Sequence, residues 1–114
     1  AMVSNDAERP AVLNDARTSD QALVTRTFAD IQATDLRGEL ANAKLPITVL
    51  YVKPAMAASL PDGQFDGTYK AQYANAADVT LTRIPDAAHF IMLDQPARFQ
   101  AEVRRFLAAP AAGT

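Results

Sequence analysis

The sequence predicts an α/β fold in which two short parallel strands are joined by a crossover helix and followed by a closing helix. Residues 46–52, PITVLYV, are almost continuously apolar and β-branched, which is typical of a strand buried on both faces of a parallel sheet. Residues 79–84, VTLTRI, form a second, nearly alternating β-rich run. The stretch between them is long enough for the helix that a parallel connection requires.

The composition limits the class of protein. The 114 residues are 49% hydrophobic and 21% charged, with a net charge of −2. This composition is typical of a globular protein, and the length is enough for about one domain. The 11 basic residues are scattered and no apolar run is long enough to span a bilayer, so we expect neither a nucleic-acid nor a membrane partner. With no cysteine, one histidine and no calcium-loop spacing, we expect no metal and no cofactor. A cytoplasmic location is compatible, although an upstream signal would change it.

The first 44 residues predict an arm and two helices. Residues 1–17 are polar and interrupted by a proline, so we expect a flexible arm. Residues 18–21, TSDQ, have the capping-box form with Thr18 as the cap, and predict a helix that extends to about Ala33. Its apolar face consists of Leu23, Val24, Phe28 and Ile31. Asp35 is expected to cap a further short helix.

The remaining elements are separated by glycine and proline. Residues 53–67 are predicted to be a loop, and residues 68–77 a helix. Asp94-Gln95-Pro96 predicts the start of the last helix, with Asp94 near its positive terminus. This helix is expected to end near Pro110, and residues 111–114 to form a disordered tail. Its apolar stripe consists of Phe99, Val103, Phe106 and Leu107.

The only histidine, His89, comes in the short loop between the second strand and the last helix. Open α/β sheets bind their ligands at the carboxyl ends of their strands, so this loop is the expected place for a functional residue. IPDAAHFIMLDQPARF and the later VRRFL resemble the last strand, histidine loop and final helix of α/β-hydrolase-fold enzymes. The resemblance implies that residues 45–110 are the carboxy-terminal part of such a core and residues 18–44 a cap-like helical segment. It also implies that His89 is the general base of a nucleophile–histidine–acid triad.

The other members of the triad are not evident. None of Ser4, Ser19 and Ser59 lies in a G-x-S-x-G turn, and the four glycines form no oxyanion-hole motif. In the family both elements lie upstream of the cap, so we expect a carboxy-terminal portion that is inactive alone. The family usually carries its acid after the strand that PITVLYV resembles, where Lys53-Pro54-Ala55 has no carboxylate. Asp62 or Asp66 is the candidate acid; the alternatives are ordinary solvated carboxylates at both positions, or an acid one strand earlier.

Phe90 and Met92 are candidates for an acyl pocket beside His89, and burial under the last helix is the alternative. The favoured function is part of a serine-type hydrolase that cleaves an ester or related acyl bond in a small molecule. Lys53 in the acid region leaves open a non-catalytic binding module, and a self-associating module with a structural histidine is a third hypothesis. Because a two-stranded sheet leaves its edges unpaired, the expected partners are a missing N-terminal half of the hydrolase fold or a second copy of the chain.

Overall fold

The structure is a computed structural model that describes residues 2–109. Its helices are α1 (Arg9–Thr18), α2 (Gln21–Ala33), α3 (Asp62–Gln72), α4 (Ile91–Asp94) and α5 (Pro96–Ala108), and its strands are β1 (Ile47–Tyr51) and β2 (Val79–Arg83). Short 3₁₀ turns cover Glu39–Asn42 and Ala55–Ala57. The predicted disordered tail, residues 111–114, lies outside the described residues.

The two strands form a parallel sheet in which Ile47 lies opposite Val79 and Tyr51 lies opposite Arg83. Both predicted strands, their parallel pairing and a helix between them are confirmed. The structure mixes helices with a small two-stranded parallel sheet, which is compatible with the predicted α/β class. The expectation that β1 is buried on both faces is wrong, because only Tyr51 is buried and the four residues before it are half-buried.

A small core lies between the sheet and α3. Its buried members are Tyr51, Ala57 and Phe65, and Tyr69 and Leu81 pack against them. The rings of Tyr51 and Tyr69 are stacked with their centroids 4.1 Å apart. Aromatic contacts of this kind add to the free energy that burial of apolar area contributes. The core therefore holds α3 on one face of the sheet.

Helix α3 begins earlier than the sequence predicted. It starts at Asp62 rather than near residue 68, so most of the predicted loop 53–67 is helical or a 3₁₀ turn. Gly63 and Gly67 lie inside the helix, where glycine costs about 1 kcal/mol relative to alanine. Burial of the Phe65 side chain, which is 8% exposed, offsets that cost.

The expectation of a flexible arm over residues 1–17 is corrected by two features. Residues Arg9–Thr18 form α1, and the proline lies in its first turn, where a missing N–H costs little. Val3 is 1% exposed, so the start of the chain packs against the rest of the molecule. An arm defined by polar composition thus contains one of the most buried side chains.

The predicted helix over residues 21–33 is confirmed, but its cap is different. The Asp20 carboxylate accepts a hydrogen bond from Leu23 N at 2.9 Å, while Thr18 is the last residue of α1. Asp35 does not cap a helix, since its carboxylate accepts from Arg37 N and the 3₁₀ turn begins only at Glu39. No residue of α2 is buried, and its apolar face is exposed.

Candidate functional site

His89 lies in the loop that joins β2 to α4, at the carboxyl end of β2. Its side chain is exposed, and its ring contacts the ring of Phe90 edge-on at a centroid distance of 5.4 Å. An exposed imidazole at this edge of a parallel sheet is accessible to a ligand. The position of His89 past the strand end agrees with the sequence analysis.

The Asp94 carboxylate holds the histidine loop in place. Its Oδ2 accepts a hydrogen bond from Ala88 N at 2.7 Å, and its Oδ1 accepts from Ser4 N at 2.8 Å and from Asn5 N at 2.7 Å. Burial opposes ionisation of this carboxyl group, but the backbone N–H donors outweigh burial and lower the pKa of Asp94. The last helix begins at Pro96, as the sequence predicted, but Asp94 does not cap it, because Asp94 ends α4 and the residue that caps α5 is Gln95.

Two further hydrogen bonds fix the ends of the loop. Gln95 Nε2 donates to the carbonyl of Asp86 at 2.9 Å, and Phe90 N donates to the carbonyl of Met2 at 2.9 Å. Asp86 has a positive φ of 54°, a conformation that Asp tolerates better than most residues. The loop is therefore held both by the segment after it and by the first residues of the described chain.

An apolar groove of about 360 Å³ lies beside His89, between β1 and the two last helices. It is lined by Thr48, Leu50, His89, Ile91, Met92, Phe99, Glu102, Val103 and Phe106. Met92, a predicted pocket residue, is among them, and Phe90 is not. A concave apolar surface with a few polar groups is the usual form of a small-molecule site.

The two candidate triad acids do not bind His89. Asp62 accepts hydrogen bonds from Lys53 Nζ at 2.9 Å and from Arg83 Nη2 at 2.7 Å. The hydrogen bond from Arg83 and, to a smaller extent, the one from Lys53 hold the pKa of Asp62 far below its usual range. Asp66 accepts from the Tyr51 hydroxyl at 2.8 Å and lies 3.3 Å from Arg83 Nε. The cations at the strand ends therefore engage both carboxylates, which corrects the expectation that either one pairs with the histidine.

One acidic residue of the groove was missed in the sequence. Glu102 is 7% exposed, and its Oε2 lies 3.1 Å from Arg105 Nη1. A signal for its burial was present, since Glu102 lies three residues after Phe99 and therefore on the apolar stripe of α5. The groove thus combines apolar walls with His89 and one buried carboxylate.

Among residues 2–109, no helix is both long and apolar enough to cross a membrane. Within that range, no group of three or more metal-ligating side chains is placed to hold an ion.

No protein-family model, curated protein or solved structure matches the chain. The function is therefore inferred from the geometry and chemistry of the site at His89.

Proposed function

We propose that this chain supplies the general-base histidine of a serine-type hydrolase that cleaves an ester or related acyl bond. In this proposal residues 45–110 are the carboxy-terminal βαβα part of an α/β-hydrolase fold, and the preceding helices belong to its cap. The observation that supports it is the exposed His89, held by backbone hydrogen bonds at the rim of an apolar groove. A base fixed beside an apolar cleft is what acyl transfer to water requires.

Each part of the site has a role in the proposed reaction. The groove holds the acyl chain of the substrate, and His89 takes the proton from a serine hydroxyl and returns it to the leaving group. The sequence contains no G-x-S-x-G turn, so the nucleophile and the oxyanion donors belong to a part of the enzyme outside these 114 residues. The triad acid also comes from outside, because Asp62 and Asp66 are bound by Lys53 and Arg83.

Mutation of His89 in a longer protein that carries the nucleophile tests the catalytic role. We expect His89→Ala to lower kcat about 10³-fold or more, because a triad acts as a unit. The urea midpoint should stay unchanged, since the side chain is exposed. Arg104→Ala, an exposed change on α5, is the matched control and should retain full activity. Turnover near the wild-type rate in His89→Ala would exclude the proposed mechanism.

The isolated chain tests the groove without any catalysis. A single histidine gives one set of imidazole signals in an NMR spectrum, so titration with methyl hexanoate should produce a saturable shift of the His89 signals. Val103→Lys, in the groove wall, should abolish the shift, and Leu107→Lys, an exposed residue of the same helix outside the groove, should retain it. Equal shifts in both variants would show that the ligand binds elsewhere.

The same sample should not hydrolyse p-nitrophenyl acetate faster than free imidazole, because it lacks a positioned nucleophile. Saturable hydrolysis with a burst that survives Ser59→Ala would contradict the proposal.

A second candidate is a non-catalytic acyl-binding module derived from such an enzyme. Lys53 favours it, because this residue stands where the family usually has its acid, and its ammonium group binds Asp62. Saturable binding of the ester by the longer protein, without turnover, would favour this second candidate over the first.

A further inference from the structure

The outer edge of β1 is open. Ile47 N donates to Asp78 O at 2.9 Å, and Tyr51 O accepts from Ile84 N at 2.8 Å, so these residues of β1 point their backbone groups toward β2. Alternate residues of a strand point their N–H and C=O groups to opposite sides, which directs those of Thr48 and Leu50 away from β2. Within residues 2–109, the backbone groups of Thr48 and Leu50 have no hydrogen-bond partner outside β1.

This edge lacks the features that keep natural edge strands from pairing. Residues Ile47–Tyr51 contain no charge and no proline, and the strand has no bulge in its register with β2. Edge strands are usually protected by charged residues, proline, bulges or a covering element. An unprotected, apolar and half-buried strand is suited to a position inside a larger sheet.

We propose that β1 of a second copy of this chain closes the edge, in an antiparallel pair related by a two-fold axis at Val49. This alignment places Thr48 of each copy opposite Leu50 of the other, so the outward-pointing groups of the two strands meet. Val49 then faces Val49 of the second copy as a non-hydrogen-bonded pair. A parallel pair cannot close in this way, because its bonded residues are offset between the strands. A second copy is the proposed occupant because the outward-pointing N–H and C=O groups of Thr48 and Leu50 match those of Leu50 and Thr48 in an identical strand.

The pairing has a consequence for the groove at His89. Opposite residues in an antiparallel pair lie on the same face of the sheet, so both copies of α3 cover one face. Thr48 and Leu50 line the groove on the other face. Leu50 of the second copy therefore lies beside Thr48 and extends the floor of the groove. The pairing is proposed for this chain by itself, because strands of the N-terminal half that the proposed hydrolase requires would compete with the second copy for the same edge.

Cysteine cross-linking tests the register, since the chain has no cysteine of its own. The Cα atoms of a non-hydrogen-bonded antiparallel pair lie about 4.5 Å apart, within the range of a disulfide. Val49→Cys should therefore form a covalent dimer of about twice the 12.2 kDa chain mass under mild oxidation. Thr80→Cys, an exposed position on β2, is the matched control and should remain a single chain on the same gel. Cross-linking of Thr80→Cys to the same extent as Val49→Cys would overturn the register.

Light scattering over a range of concentrations tests the association itself. The wild-type chain should dimerise at micromolar concentration, and Thr48→Pro should weaken association by about tenfold or more, because it removes an outward donor and leaves the β1–β2 bonds intact. An unchanged circular dichroism spectrum would show that Thr48→Pro folds; if it does not fold, the cysteine variants decide. A wild-type chain that is monomeric up to about 100 µM would overturn the pairing. That result would leave the groove and the role of His89 untouched, so the two proposals fail separately.

Discussion

Helices α2 and α5 have the same length of 13 residues and each carries an apolar stripe, yet their surroundings differ. Helix α5 packs against α4 and lines the groove, and its Glu102 is buried. Helix α2 buries no residue, and Phe28 on its apolar face is 62% exposed. A capping residue and a helical pattern of apolar residues are therefore enough to form a helix. Burial of its apolar face also requires another part of the chain to pack against that face.

The same contrast separates two regions of the molecule, and the boundary does not follow chain order. The packed region contains the sheet, α3 and the last two helices, and also Val3 from the start of the chain. Helices α1 and α2, which come next in the sequence, contain no buried residue.

Two phenylalanines on helices give the largest expected difference in stability. Phe65→Ala should lower the free energy of unfolding by about 3–5 kcal/mol, because it empties part of the small core. Phe28→Ala, the same change at an exposed site, should alter it by no more than about 0.5 kcal/mol. Urea denaturation followed by circular dichroism measures both. Similar losses for the two variants would mean that α2 is covered in solution.

The Asp94 contacts should join the start of the chain to the packed region in a pH-dependent manner. Asp94→Asn should increase amide hydrogen exchange at Ala88 and Asn5 by about tenfold, because it removes the charge that these N–H groups bind. Asp30→Asn, on the exposed helix α2, is the control and should leave both amides unchanged.

The sign of the pH dependence follows from the lowered pKa of Asp94. A carboxyl group whose pKa is lower in the folded state stabilises the protein above its unfolded pKa of about 3.9, and this contribution is lost as the pH falls through the folded value. The difference in urea midpoint between wild type and Asp94→Asn should therefore narrow as the pH falls from about 5 to 3. A difference that stays constant over this range would exclude the ionised carboxylate as the cause.

The smallest expected effect concerns the cap of α2. Asp20→Ala should destabilise this helix by about 1 kcal/mol, because Leu23 N loses its acceptor. Thr18→Ala should have less effect, since the Thr18 hydroxyl donates only to carbonyls of α1 that also bind other groups. Hydrogen exchange in the first turn of α2 compares the two variants. A larger increase in hydrogen exchange for Thr18→Ala than for Asp20→Ala would instead support Thr18 as the cap, as the sequence pattern predicted.

The sequence by itself determined the elements whose signals are local. Three elements were predicted from such signals: β1 from its apolar run, β2 from its alternating run and α5 from its helical period. Pro85 and Asp86, which end the second run, placed His89 in a loop. Local signals failed at α3, because two glycines and two prolines in residues 53–67 indicated a loop where a buried Phe65 stabilises a helix.

Only the tertiary structure decided which side chains meet. Ser4 and Asp94 are separated by 90 positions, and Arg83 at the end of β2 binds Asp62 at the start of α3. A period or a turn signal describes residues within a few positions of each other and carries no information on such contacts. Burial and ion pairing depend on the distance between side chains in space, so they follow from how the elements pack. This explains why the sequence did not predict the pairing of the two acids with Lys53 and Arg83, the burial of Glu102 in the groove or the exposure of α2.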